Sequence, residues 1–311
     1  MGVDAQWFRD AKYGVMIHYL CPNEEKDMSA EDWNKRVDSF DEKLFADCLE
    51  ESGARFCFFA VGQNSGHYCS PNEAYDEIVG IKPSKCSKRD LIKDVASELE
   101  KRGIRLMVYT TGNAPFFDDT AMERLEWKRG EHRLINFQRK WEKILGTWSK
   151  QWGNKVHGWW VDGCYSESDY MRDRADEPNY NSFARALRSG NENALVAFNG
   201  GFVFKAFDCE DFTAGEMSDH LTVSIWDDEN HDGLKPIGDI NGKIFQVFSF
   251  LGDWWMGRDP ERKPRFPDDL VHAYTKYVVN HGGVVTWDVP FEWNGEIPKQ
   301  FVRQLKQLKD I

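Results

Sequence analysis

Two carboxylates are placed to do chemistry. Asp162 closes the apolar run VHGWWVD and is followed at once by Gly163, and Glu216 follows the Ala-Gly of DFTAGEM. Two carboxyl groups facing each other over a sugar-sized cavity suffice for glycoside hydrolysis: one attacks or stabilises the anomeric carbon, and the other keeps a proton near neutral pH and delivers it to the leaving oxygen. An ionised carboxylate at the end of an apolar strand needs hydrogen-bond donors close by, and His18, Tyr109 and Asn199 are candidates. The wider set expected to contact substrate is His18, Trp33, Gln63, Asn64, His67, Tyr109, Asn199, Trp254 and Trp287. Such a mixture of polar and aromatic groups suits the hydroxyls and C–H faces of a sugar ring. The chain has no GxGxxG, no GxxxxGK[ST] and no GxSxG motif, so nothing in it cradles a phosphate or builds a serine-hydrolase elbow. His18, His67, Asp162 and His281 come from separate segments without HxxxH spacing, and neither a metal nor a cofactor is expected.

These residues need elements to hold them. Eight short apolar runs, at 14–19, 55–62, 105–111, 156–163, 194–200, 211–215, 243–250 and 283–289, alternate with amphipathic segments. That alternation predicts βαβ units on a parallel sheet, and eight of them predict an α/β fold, a single (β/α)8 TIM-like barrel with 1–311 as one catalytic domain. In such barrels the site lies at the C-terminal ends of the strands, where the residues above fall. Among the helices, 41–52 carries Leu44, Phe45, Cys48 and Leu49 on one face and stops at Gly53; 88–102 stops at Gly103; 131–152 repeats Leu134, Phe137, Trp141, Leu145 and Trp148; the last begins at Pro298 and repeats Phe301, Leu305 and Leu308. Glycine just past the end and proline at the first turn are helix punctuation. The stretches 22–39 and 217–242 read as long irregular loops on the functional face.

Composition narrows the partner. There are 52 Asp+Glu against 40 Lys+Arg, a net charge of −12, so neither nucleic acid nor an anionic membrane is an expected partner. No apolar run approaches the roughly 20 residues of a membrane span. The start, MGVDAQWFRDAK, lacks an apolar leader core, which predicts a cytoplasmic protein or an exported one whose leader has been removed. The seven cysteines are odd in number and form no CxxC pair, so reduced, buried thiols are expected. Aromatic residues make up 14% of the chain, with 13 tryptophans. Most must be core, but the clusters GDWWMG, TWDVPFEW and GWWVDG fall in or beside loops where rings meet sugar.

At this point the chain resembles glycoside hydrolase family 29, the α-L-fucosidases. WFRDAKYGVMIHY is similar to the family's opening, whose first strand ends in a sugar-binding His-Trp; here His18 is present and Tyr19 replaces the Trp. FDEKLFADCLEESGARFCFFA resembles its helix and second strand, and GWWVDG resembles the strand that carries its nucleophile, which points to Asp162. DFTAGEMSD resembles the region where many members place the acid/base, which points to Glu216. NHGGVVTWDVPFEWNGEIPKQFVRQL resembles the last strand and helix. The resemblance implies an exo-acting retaining glycosidase acting on a glycoside or oligosaccharide, in a catalytic domain without the family's C-terminal β-sandwich. One departure bears on the substrate. Where the family shows His-His-Asp-Gly-Phe after strand two, this chain reads GQNSGHYCSPN, so Gln63 and Asn64 replace the histidines that grip fucose hydroxyls. A sugar other than L-fucose is therefore compatible with the sequence, and so is a catalytically silent, sugar-binding barrel. An aldolase-type barrel is disfavoured, because no predicted strand ends in lysine.

Overall fold

The computed structural model describes residues 3–131, 133–165, 175–200, 207–218, 220–226, 233–238, 244–257, 259 and 261–311. Five strands lead the chain: β1 Tyr13–Ile17, β2 Phe56–Ala60, β3 Arg105–Thr111, β4 Val156–Asp162 and β5 Leu195–Phe198. Four follow: β6 Ser224–Trp226, β7 Leu234–Pro236, β8 Gln246–Phe250 and β9 Val284–Asp288. Seven of them form one parallel sheet in the order β5-β4-β3-β2-β1-β9-β8. Its helices are α1 Gln6–Ala11, α2 Ala30–Asp38, α3 Glu42–Ser52, α4 Glu73–Val79, α5 Leu91–Glu100, α6 Asp119–Leu125, α7 Ile135–Trp152, α8 Tyr180–Leu187, α9 Asp268–Asn280 and α10 Lys299–Lys306. Among the described residues, no helix is long and apolar enough to cross a membrane, and all seven cysteines are free thiols.

Strand residues alternate faces with period two, and the two faces fill different spaces. Met16, Phe56, Phe58, Met107, Tyr109, Trp160 and Phe248 share one buried cluster, closed from below by Phe8 of α1. Their neighbours Val15, Ile17, Cys57, Phe59, Val108, Trp159 and Val161 pack on the other face with the helices. The predicted punctuation is present. Asp41 caps α3 by accepting from the Leu44 N–H at 2.8 Å, and the helix ends at Gly53 with φ +82°.

Three expectations need correction. Among the described residues the parallel sheet is a curled, seven-stranded one, and the expected strand at 211–215 is not one of its members. That segment instead makes isolated parallel bridges, Phe212 to Ile244 and Glu216 to Phe248. It also touches the other sheet edge, where the Asp211 N–H donates to the Val196 carbonyl at 3.0 Å. Being short and polar, it lacks the apolar residues to fill two faces of a central strand. The stretch 22–39 is not wholly irregular, because it contains α2. Ser29 caps that helix by accepting from the Asp32 N–H at 3.0 Å, and Trp33 and Val37 are its buried residues. Likewise 217–242 contains the antiparallel pair β6–β7, while part of that stretch lies outside the described residues.

Candidate active site

The inward parity of the strands brings the chemistry together. Asp162 stands two residues beyond Trp160 on β4, Asp288 ends β9, His18 follows β1 two residues after Met16, and Tyr109 points inward from β3. They meet at one end of the sheet, where Asp288 lies buried behind His18, and His18, Gln63, Tyr109, Asp162, Glu216 and Trp254 are among the walls of a cavity of about 500 Å³. Trp160, Phe248 and Trp255 line it too. A second chamber of about 310 Å³ shares Gln63 and Asp162 with the first and is lined further by Asn64, Trp127 and Tyr165.

Glycine places both carboxylates. Gly163, immediately after Asp162, has φ +73°, and a Cβ there would lie 2.2 Å from Asn113 Nδ2. Gly215, immediately before Glu216, has φ +69°, and a Cβ there would lie 1.8 Å from the Gln246 carbonyl oxygen. Left-handed backbone of this kind favours glycine. At Gly215 it lets the chain run hard against β8, with the Phe248 N–H donating to the Gly215 carbonyl at 2.9 Å and the Met217 N–H to the Phe248 carbonyl at 2.8 Å.

Asp162 is surrounded by donors. Tyr109 Oη donates to Asp162 Oδ2 at 2.5 Å and Gln63 Nε2 to the same oxygen at 3.4 Å, while Asn199 Nδ2 donates to Oδ1 at 2.9 Å and Tyr165 Oη reaches it at 3.3 Å. Glu216 shares two of these partners: Tyr165 Oη lies 2.9 Å from its Oε2, and Asn199 Nδ2 also donates to that oxygen. Burial, then the charge of Asp162, push the Glu216 carboxyl above its ordinary value, against the lowering effect of Asn199, Tyr165 and His18. Burial and the two carboxylates raise the Tyr165 phenol as well. The arrangement thus holds one carboxylate amid donors and favours a proton on the other.

His18 is oriented from behind. Its Nδ1 is 2.6 Å from Asp288 Oδ1, and Asp288 Oδ2 accepts from the Met256 N–H at 2.8 Å. Asp288 is fully buried, and burial raises its pKa while His18 lowers it. The His18 ring also borders the cavity.

Not every predicted contact reaches the cavity. Trp33 is fully buried and its indole N–H donates to the Tyr68 carbonyl at 2.9 Å. Trp287 is fully buried on the helix side of β9, donating to Thr275 Oγ1 at 3.1 Å. His67 is buried, with Nε2 3.0 Å from the Met28 carbonyl oxygen. None of these three lines either chamber. Asn64 lies in the second chamber, while Gln63, Tyr109, Trp254 and His18 line the first. Tyr165, Trp160, Phe248, Phe291 and Trp293 are lining residues that the sequence reading did not single out. Trp160 was open to detection, being two positions before Asp162 on the same strand; nothing local marks Tyr165. Among the described residues no cluster of three His, Cys, Asp or Glu side chains is grouped to hold a metal.

A family model described as alpha-L-fucosidase matches residues 27–310. No curated protein sequence matches the chain. Among solved structures, the endo-fucoidan hydrolase MfFcnA4 from glycoside hydrolase family 107 superposes with a TM-score of 0.70 at 15% identity, over 98% of this chain and 53% of that one. A fucosyltransferase mutant of the alpha-L-fucosidase AlfC gives 0.65 at 14% identity, over 100% of this chain and 98% of that one. Alpha-L-fucosidase isoenzyme 1 from Paenibacillus thiaminolyticus gives 0.64 at 16% identity, over 98% and 74%. At such identities the likeness is one of fold, and the chain spans about half the length of the fucoidan hydrolase it matches.

Proposed function

This chain belongs to the alpha-L-fucosidase family, and from that premise we propose that it is an exo-acting, retaining glycoside hydrolase with Asp162 as nucleophile and Glu216 as acid/base. The observation that carries this reading is the shared donor between the two carboxylates. Asn199 Nδ2 contacts an oxygen of each, so the facing oxygens are no more than two hydrogen bonds apart, about 6 Å at most. Between whole carboxyl groups, retaining pairs stand at about 5–5.5 Å and inverting pairs at about 6.5–9.5 Å with a water between them, and a single bridging donor supports the shorter class. Their environments also diverge in the required direction, Asp162 amid four donors and Glu216 with its pKa raised. In the first step Asp162 attacks the anomeric carbon while Glu216 gives its proton to the leaving oxygen. In the second, water attacks the same carbon, Glu216 takes a proton from it and Asp162 departs as carboxylate.

We read 211–217 as the stand-in for a sixth barrel strand, and the domain as a barrel closed by backbone bridges at that position. The substrate is an α-L-fucoside or a related sugar. Gln63 Nε2 is committed to Tyr109 Oη at 2.5 Å and to Asp162, and Asn64 faces the second chamber. The end of β2 therefore offers amides where paired imidazoles would hold fucose hydroxyls, and a site that leaves a buried polar group unpaired rejects the mismatched sugar.

The test is Asp162→Asn with an Asp162→Gly companion, assayed on a panel of aryl glycosides. Asp162→Asn is expected to lose at least about 10³-fold in kcat with its melting temperature preserved, and azide is expected to rescue Asp162→Gly as a glycosyl azide. Normal turnover by Asp162→Asn would sink the assignment. Binding without turnover by the wild type across the panel would favour the silent sugar-binding reading instead.

A further inference from the structure

Tyr165 lies outside every strand, yet its hydroxyl touches both carboxylates. It is 2.9 Å from Glu216 Oε2 and 3.3 Å from Asp162 Oδ1, and it accepts from Asn199 Nδ2 at 3.0 Å. The hydroxyl has one proton to give, to one carboxylate at a time, and the two protons of Asn199 Nδ2 are likewise divided among three acceptors, Asp162 Oδ1, Glu216 Oε2 and Tyr165 Oη. In the proposed first step, attack by Asp162 forms an ester and breaks the bond to the leaving oxygen, which takes the proton of Glu216. The negative charge thus passes from Asp162 to Glu216. Asp162 loses little if Tyr165 turns away, since Tyr109, Gln63 and Asn199 also donate to it. Among the described residues Glu216 has only Tyr165 and Asn199 as hydrogen-bond donors.

Resting on that assignment of the two carboxylates, we propose that Tyr165 is a positioning residue for the acid: its hydroxyl follows the charge and receives it on Glu216 as the proton leaves. The shorter distance to Glu216 favours that end state. Because the phenol is raised far above neutral pH by burial and by both carboxylates, it stays a donor throughout and takes no part in proton transfer itself. Tyr109, also buried beside Asp162 and with its pKa raised, and His18 are the other titratable groups around the pair. Neither is within hydrogen-bonding reach of Glu216.

Tyr165→Phe removes the donor and keeps the ring. Its effect should scale with how much the leaving group needs the acid. On aryl α-L-fucosides, kcat/KM is expected to fall about 10–100-fold for phenyl, the loss of one hydrogen bond to a charged group, and less than about 3-fold for 2,4-dinitrophenyl. The descending limb of the pH profile should move to higher pH, because an unsupported Glu216 anion holds its proton longer. Equal losses across the series, or a limb that stays in place, would overturn the proposal while leaving the nucleophile assignment intact.

A second measurement needs no substrate, and it decides alone if the wild type turns over none of these fucosides. With the anion less stable in the variant, the drop in melting temperature should be small at pH 4 and larger at pH 8. An equal drop at both would overturn the proposal.

Discussion

At the scale of single residues, the two facing carboxyl groups of the cavity are given unlike surroundings. Glu216 is part-buried, faces another carboxylate and is held above its ordinary value by burial first and Asp162 second. With Glu216 as the proposed acid, the rate should therefore fall as pH rises through a value above the ordinary 4.5 of a glutamate, since deprotonation removes its proton. Glu216→Gln should erase that descending limb and lower kcat/KM by about 10²–10⁴-fold on unactivated glycosides, with a smaller loss on activated ones. A pH–rate profile of both proteins checks this, and a limb retained in the variant would assign it to another group. Asp162 was legible in the sequence because an apolar strand ending in Asp-Gly is a local pattern. Glu216 was legible less directly, and Tyr165 not at all, because its partners lie 3 and 51 positions away and only folding brings them to one oxygen.

At the scale of elements, parity and backbone sign decide which side chains are chemical. Trp287 and Asp288 are neighbours, yet β9 sends Asp288 to His18 and Trp287 to Thr275. The aromatic cluster TWDVPFEW suggested a sugar platform, but strand pleat assigns this tryptophan to the helix layer. Ser29-x-x-Asp32 starts a helix inside 22–39, and once α2 forms, its apolar face with Trp33 must be buried. Gly215 is the element-level constraint on Glu216. Gly215→Ala sets a left-handed backbone against a Cβ 1.8 Å from the Gln246 carbonyl oxygen. It should cost about 2–5 kcal/mol of stability, and activity of the folded fraction should drop about 100-fold as Glu216 shifts. Denaturant unfolding alongside kinetics separates the two effects; wild-type values for both would show that β8 yields at that point.

At the scale of the whole molecule, buried acids make stability depend on pH. Glu216, Asp288 and Glu142 all have pKa values raised by burial as the first cause. A carboxyl whose folded pKa exceeds its unfolded one contributes stability in full below the unfolded value, and loses it as pH rises through the folded value. These three groups should therefore draw the melting temperature down from mildly acid toward neutral pH. Glu142 lies outside the site, its Oε1 accepting from Ser182 Oγ at 2.6 Å and Gln138 Nε2 at 2.8 Å. Glu142→Gln keeps that acceptor without the charge, so it should flatten part of the slope and raise the melting temperature at pH 8, by about 2–4 °C for each kcal/mol recovered. Activity should not change. A pH slope identical to wild type, measured by calorimetry, would remove Glu142 from the account.

What the sequence by itself determined follows from local periodicity and turn chemistry. Apolar runs, helix stripes and the glycines and prolines between them are read within a few residues of each other, so the parallel α/β order, most strands and Asp162 at a strand end were legible. The tertiary structure alone decided how 211–217 meets the sheet edges and what lines the cavity. The segment 211–217 satisfies its backbone across two sheet edges without becoming a strand, an outcome set by distant partners on β5 and β8. Trp33, His67 and Trp287 do not line the cavities, and Tyr165, Trp160 and Phe248 do, because burial depends on where the whole chain puts each face.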